Sequence, residues 1–168
     1  MVFEIDSIKD DPLLFPLVTL IIMDVFLQKM RIKKNRKVLV IEEAWKAIAK
    51  EGMASYVRYL FKTVRKYFGE AIVVTQEVED IISSPIVKES IINNADCKIL
   101  LDQRKYMNKF DAIQSLLGLT EKEKSQILSI NMANNPSRLY KEVWIGLGGT
   151  QSAVYATEVS AEEYLVRP

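Results

Sequence analysis

The chain has 168 residues, enough for one domain with a substantial core. Hydrophobic residues make up 49% and charged residues 27%, which excludes the disordered and fibrous classes. Since 23 basic and 22 acidic residues leave a net charge of +1, contact with a nucleic acid would need a local basic patch. There is no histidine and a single cysteine, Cys97, so imidazole catalysis, cysteine–histidine zinc clusters and internal disulfides are excluded. We expect Cys97 to be a buried bystander.

The first predicted helix follows Asp10 and Asp11, because an aspartate before Pro12 is typical of a capped helix start. It should run to about Arg31 and be apolar nearly all round, as in a helix packed between a sheet and a neighbour. Polar residues and a proline interrupt residues 13–30, leaving apolar pieces shorter than the roughly 18 residues of a membrane span. A strand is also predicted before it, over residues 2–5.

The central strand is predicted at residues 38–41, where four branched apolar residues lead directly into Glu42 and Glu43. A strand that is apolar at every position is typically buried on both faces of a parallel sheet, and its carboxyl end then lies at the edge where α/β folds bind ligands. Glu42 there suits a metal, and Glu43 suits a group that orients or deprotonates water. A plain strand end with solvated charges fits the same pattern.

A helix with one basic side is predicted to follow, ending at Gly69. Its apolar positions keep helical spacing: Met53, Val57, Leu60, Phe61, Val64 and Phe68. The opposite side carries a basic stripe, which we define as Arg58, Lys62, Arg65 and Lys66. Three interpretations remain open: a solvated helix face, a phosphate-binding patch for DNA, and an arginine offered to the nucleotide of a neighbouring subunit.

Two further strands are predicted at residues 70–76 and 97–101. The first ends in Thr75 and Gln76, and a glutamine at that edge can hydrogen-bond both a γ-phosphate oxygen and an attacking water. Three short apolar strands alternating with helices predict an α/β fold with a mainly parallel sheet flanked by helices. Small helices at about 105–130, with a capping box at Thr120 and Glu123, and a β-hairpin at about 141–158 should complete it.

The phosphate-binding loop of P-loop NTPases, the Walker A motif, is absent from the sequence. That motif reads G-x-x-x-x-G-K-[ST], and none of the six glycines is followed by lysine. Residues 146–151, read as GLGGTQ, lie between predicted strands and favour a tight turn.

Three segments in order carry a family resemblance: VLVIEEAWKAIA, FKTVRKYFGEAIVVTQEVEDI and INNADCKILLDQ. Together they resemble the C-terminal portion of the ATPase domain of TraG-type conjugation proteins, which occur in Bacteroides-like conjugative transposons. These proteins belong to the VirB-type ATPases of type IV secretion, which are related to the HerA and FtsK motors. The resemblance covers nearly the whole chain. It implies that residues 1–168 are the C-terminal part of a RecA-like P-loop ATPase domain.

The resemblance also implies residue roles. Glu42 stands where the family more often has the Walker B aspartate that binds the metal, and its extra methylene alters the geometry; Glu43 matches the catalytic glutamate. Gln76 matches the glutamine after the next strand. Arg65 and Lys66 match an Arg-Lys pair before that strand, Arg65 as a catalytic residue acting between subunits and Lys66 as a nucleotide-binding one.

The implied function is that of a motor that couples ATP hydrolysis to assembly of a conjugative transfer apparatus and to substrate transfer. The implied setting is a hexameric ring in the cytoplasm at the inner membrane, with inner-membrane secretion components, a coupling protein and DNA as candidate partners. The full-length protein would use ATP and Mg²⁺. The missing Walker A loop would precede Met1, so the chain alone is expected to bind no nucleotide and to be inactive. A docking module without catalysis, or a DNA-binding domain using Arg58, Lys62 and Arg65, remains the alternative.

Overall fold

The computed structural model describes residues 2–8, 10–32, 35–42, 51–76, 91–132 and 140–166. The chain divides into two compact units, Met1–Asn94 and Ala95–Pro168. None of the helices in these ranges combines the length and hydropathy required to cross a membrane.

The first unit begins with a short 3-10 helix, Asp6–Ile8, and the long helix α1, Leu14–Ile32. Asp11 caps α1 as predicted, because its Oδ1 accepts hydrogen bonds from the backbone N–H groups of Leu13 and Leu14, both at 2.9 Å. The strand predicted over residues 2–5 is not formed. Unlike the other predicted strands it finds no pairing partner among the described residues, and Val2 is 92% exposed.

Only one side of α1 is packed. Phe15, Met23, Leu27 and Met30 are buried, at the helical spacing that defines one face. The expectation that α1 packs between a sheet and a neighbour is wrong for the described residues, since Leu17 and Ile21, on a second apolar side, are each more than half exposed.

Strands β1, Lys37–Glu42, and β2, Gly69–Val74, pair in parallel, which confirms the predicted parallel arrangement of these segments. Their burial alternates along the strands. Leu39, Ile41, Ala71 and Val73 pack against the core formed with α1. The other face, which we call the outer sheet face, consists of Val38, Val40, Ile72 and Val74 and is 42–51% exposed. The prediction that β1 is buried on both faces is thus wrong, because only one layer covers this sheet within the described part of the chain.

The basic stripe lies on helix α2, Glu51–Thr63, and on the 3-10 turn Val64–Tyr67 that follows it. Val57, Leu60, Phe61 and Val64 are buried as predicted. Phe68 is not, since it is 69% exposed and takes the left-handed conformation that ends the turn (φ 54°). Gly69 is instead the first residue of β2, where a β-carbon would lie 2.7 Å from Val64 Cγ2 and 2.8 Å from Met30 Sδ.

The side chain of Lys37 ties the start of the sheet to two other elements. Its Nζ donates hydrogen bonds to the carbonyl oxygen of Met30 in α1, at 3.1 Å, and to that of Tyr67, at 3.2 Å. Its backbone N–H donates to the carbonyl of Phe68 at 3.1 Å. These bonds satisfy the end of α1 and fix the amino-terminal edge of the sheet.

The second unit contains an antiparallel sheet of β3, Cys97–Leu100, β4, Tyr140–Leu147, and β5, Gln151–Glu158, in that order. The hairpin of β4 and β5 is closed by Gly148, Gly149 and Thr150, with both glycines at positive φ. Assigning residues 97–101 to the parallel sheet was wrong, because β3 pairs with the longer strand β4. Cys97 is exposed, contrary to expectation.

Two short helices, α3 (Phe110–Leu117) and α4 (Glu121–Leu128), follow a 3-10 segment, Arg104–Lys109. Gly118 ends α3 at φ 67°, and Thr120 with Glu123 forms the predicted capping box on α4. Asn131 and Glu142 then join the end of this segment to β4 by reciprocal hydrogen bonds of 2.8 and 2.9 Å. A last helix, α5, spans Ala161–Val166.

Candidate active site

Glu42 and Gln76 belong to the same edge of the parallel sheet. Glu42 is the last residue of β1 and is in register with Val74, the last residue of β2. Gln76 follows Val74 by two residues, and both Glu42 and Gln76 are exposed. Because parallel strands end on the same side, this edge collects the polar groups that follow each strand, as the sequence predicted.

The alternation along β1 also places Glu42 on a particular face. Residues two and four positions earlier, Val40 and Val38, belong to the outer sheet face, and Glu42 continues their series. The carboxylate therefore lies at the carboxyl edge of the uncovered face, whereas Leu39 and Ile41 point to the core. The Glu42 carboxylate is therefore accessible from solvent.

Glu43, the residue expected to activate water, lies outside the described residues. Its assignment is based on the sequence, where it directly follows Glu42. The structure accordingly defines two of the three side chains predicted for this edge, Glu42 and Gln76.

Arg65 and Lys66 belong to the opposite edge of the same sheet. Both lie in the turn Val64–Tyr67, immediately before β2 begins at Gly69. The six residues of β2 span about 16–20 Å at about 3.3 Å per residue, and this length separates the pair from Gln76. The structure therefore does not bring Arg65 or Lys66 together with Glu42 and Gln76 within one chain.

The residues at the carboxyl edge suit Mg²⁺ rather than a metal held by protein alone. Mg²⁺ commonly takes one or two carboxylates and completes its shell with water and phosphate oxygens, and Glu42 supplies such a carboxylate. No group of three or more acidic or cysteine side chains that would hold a metal occurs within the described ranges. Glu42 could therefore supply one ligand to a metal that takes its other ligands from water and phosphate oxygens.

This unit has a second polar feature, a pocket of which the sequence analysis identified only the basic residues. Arg58 and Lys62 of the basic stripe line a pocket together with Asn93 and Asn94. The paired asparagines predict the end of a helix, and nothing in their local pattern indicates that they face α2. Burial of Ile91 in the same core cluster as Val57 and Leu60 brings the two segments together.

Comparison with known proteins identifies the family. The family model of the TraG P-loop domain matches residues 1–167. The type IV secretion system protein CagE of Helicobacter pylori (strain ATCC 700392 / 26695) is 35% identical over 89 residues, which are 53% of this chain and 9% of CagE. The fold is similar to the structure of VirB4 of Thermoanaerobacter pseudethanolicus, with a TM-score of 0.65 and 24% identity over 96% of this chain and 42% of the VirB4 chain. The mixed α/β fold is thus that of a RecA-like P-loop domain, and the chain belongs to the TraG P-loop domain family.

Proposed function

We propose that the chain is the water-activating part of the motor ATPase of a type IV secretion system that carries out conjugative DNA transfer. Membership of the TraG P-loop family and the similarity to CagE support the secretion setting. The carboxyl edge shared by Glu42 and Gln76 is the structural observation that carries the proposal. The chain spans 9% of the length of CagE and 42% of the VirB4 chain.

Each residue at the carboxyl edge has a role in this proposal. Glu42 holds the metal, Glu43 orients and deprotonates the attacking water, and Gln76 hydrogen-bonds that water and a γ-phosphate oxygen. When bound together with ATP, Mg²⁺ would neutralise charge on the phosphate oxygens. The phosphate-gripping loop is supplied by other parts of the protein, because this sequence lacks the Walker A motif.

Arg65 acts in the next subunit of a ring. Its position at the edge remote from Gln76 supports action between subunits, because a subunit interface can place the amino-terminal edge of one sheet beside the carboxyl edge of another. Lys66 binds the phosphates of the same neighbouring nucleotide as a point charge. The ring is a hexamer in the cytoplasm, associated peripherally with the inner membrane through secretion components and the coupling protein, and DNA is a candidate partner.

The test is ATP hydrolysis by the chain alone and by the longer protein that contains a Walker A loop. The chain alone should show no appreciable turnover. The longer protein should hydrolyse ATP, and Glu43→Gln should abolish hydrolysis while nucleotide binding is retained. Robust ATP turnover by the isolated chain that is lost in Glu43→Gln would contradict the proposal that the phosphate-binding loop is supplied by another part of the protein. Unchanged ATP hydrolysis by the longer Glu43→Gln protein would contradict the role of Glu43.

A further inference from the structure

The turn that carries Arg65 and Lys66 is anchored at both of its ends. Before Arg65, the side chain of Val64 is 5% exposed and belongs to the hydrophobic core. After Lys66, Phe68 takes the left-handed conformation, and its backbone N–H donates to the carbonyl of Arg65 at 3.2 Å. The side chains of Arg65 and Lys66 are both exposed. Where they can reach therefore depends on how the backbone of this turn is held.

Lys37 joins the turn to two other elements. Its Nζ donates to the carbonyl of Tyr67, the last residue of the turn, at 3.2 Å, and to that of Met30, in the last turn of α1, at 3.1 Å. Carbonyl oxygens at helix ends lack intrahelical donors and carry partial negative charge, which favours a cation. An ammonium group has three N–H donors, so it can serve both carbonyls at once.

The position of Lys37 in β1 relates it to both halves of the proposed site. Lys37 is the first residue of the strand that ends at Glu42, and its backbone N–H donates to the carbonyl of Phe68 at 3.1 Å. Its side chain bonds a residue two positions after Arg65, whereas Glu42 lies about 16 Å away along the strand. Loss of the ammonium group should therefore disturb Arg65 and leave the carboxyl edge in place.

We propose that Lys37 is a positioning residue for Arg65: its ammonium group holds the turn Val64–Tyr67 in the orientation that lets Arg65 reach the nucleotide of the neighbouring subunit. This inference rests on the function proposed above, in which Arg65 acts between subunits. Lys37 touches no substrate in this role. Its effect is large enough to measure, because misplacing a catalytic group by about 1 Å can cost about a hundredfold in rate.

ATP hydrolysis by rings of the longer, Walker A-containing protein tests the proposal. Lys37→Met keeps a long unbranched side chain but has no N–H to donate, and it should lower kcat about tenfold or more, as for loss of a charge-assisted hydrogen bond. Arg36→Met is the matched control, since it removes the neighbouring cation, whose Nε donates to Oε1 of Glu70 in β2 at 2.8 Å. This exposed ion pair contributes little, so Arg36→Met should leave hydrolysis nearly unchanged.

Mixed rings distinguish loss of Arg65 positioning from general damage to the subunit. Lys37→Met subunits mixed with Glu43→Gln subunits should exceed the average activity of the two unmixed rings, because the Glu43→Gln subunits supply a well-placed Arg65. Lys37→Met mixed with Arg65→Ala should not exceed that average, because both variants lack the same contribution. Differential tags confirm that mixed rings form, and Lys37→Gln replaces Lys37→Met if the latter does not assemble.

The reference pair, Arg65→Ala with Glu43→Gln, separates this inference from the function on which it rests. Failure of the reference pair to recover activity would contradict action of Arg65 between subunits. If the reference pair recovers, three results would overturn the role of Lys37: unchanged hydrolysis by the Lys37 variant, its recovery with Arg65→Ala as well as or instead of Glu43→Gln, or its recovery with neither.

Discussion

Glu42 and Arg65 lie at opposite edges of one parallel sheet: Glu42 ends β1, and Arg65 precedes β2 by four residues. The length of β2 keeps them about 16–20 Å apart along the strand direction. If both serve the same hydrolytic reaction, they serve it from different subunits. This relationship makes a specific prediction for mixed assemblies of the longer, Walker A-containing protein.

Mixing Arg65→Ala subunits with Glu43→Gln subunits should restore part of the ATPase activity that each variant lacks alone. Each homogeneous assembly should lose about a thousandfold or more, as expected for loss of an arginine finger or a catalytic base. In a mixed ring, an Arg65→Ala subunit has an intact Glu43 and receives Arg65 from its neighbour. Steady-state hydrolysis against mixing ratio is the measurement. Failure of every ratio to restore activity, with mixed rings demonstrated by differential tags, would contradict action between subunits.

Leu60→Ala should destabilise the chain by about 2–5 kcal/mol, because Leu60 is fully buried where α1, α2 and the sheet meet. Leu17→Ala is the matched control: the same substitution in a helix, at a position that is 51% exposed. It should cost less than about 1 kcal/mol. Urea unfolding followed by circular dichroism measures both. Equal losses for the two variants would show that the packed face of this unit is wrongly assigned.

Gly146→Ala should destabilise the second unit by about 1–3 kcal/mol. A β-carbon at this position would collide with the ring of Trp144, the largest fully buried side chain of the described chain. The double variant Gly146→Ala/Trp144→Phe should lose less stability than the sum of its single substitutions, because the smaller ring leaves room for the methyl group. Strictly additive losses in chemical denaturation would indicate that the two residues are not in contact.

The capping box predicts a pH dependence of stability. The backbone N–H of Thr120 hydrogen-bonds the Glu123 carboxylate at 2.8 Å and, as the main cause, holds the pKa of Glu123 below its usual value. The Glu123 carboxylate binds a proton less readily in the folded state than in the unfolded state. Its contribution to the free energy of unfolding is therefore full above about pH 4.5 and is lost as the pH falls below that value.

Glu123→Gln should therefore reduce the acid loss of stability, since glutamine keeps the capping geometry and does not titrate. Glu121→Gln, with the same charge change in the same helical turn, is the control for loss of a negative charge. Urea midpoints between about pH 3 and 6 provide the measurement. An identical profile for all three proteins would exclude Glu123 as the titrating group.

The sequence predicted the positions of strands and helices better than it predicted which strands pair with one another. Continuous branched residues identified β1 and β2, and the spacing of Val57, Leu60 and Phe61 identified the buried side of α2. β3 was found as a strand but assigned to the wrong sheet, because apolar periodicity does not specify which strand pairs with it. Phe68 was predicted to lie on the apolar side of that helix, but the chain leaves the helix there in a left-handed conformation.

The candidate site was likewise predictable from the sequence only in part. Polar residues after two apolar strands located Glu42 and Gln76 at one edge, since parallel pairing fixes that geometry. The distance of Arg65 from that edge depends on the direction in which the chain enters β2, and the spacing of charges on a helix does not show it. The asparagine pair beside Arg58 depends on tertiary packing of Ile91, which no local pattern encodes.

The outer sheet face has a consequence for handling the protein. Four aliphatic side chains there, Val38, Val40, Ile72 and Val74, are 42–51% exposed on two paired strands. Such a surface attracts its own copies, and its adhesion strengthens with temperature near ambient conditions and with sulfate or phosphate salts. Isolated preparations should therefore remain dispersed longest when cold and in low concentrations of such salts, and should bind dyes that fluoresce on apolar surfaces even while fully folded.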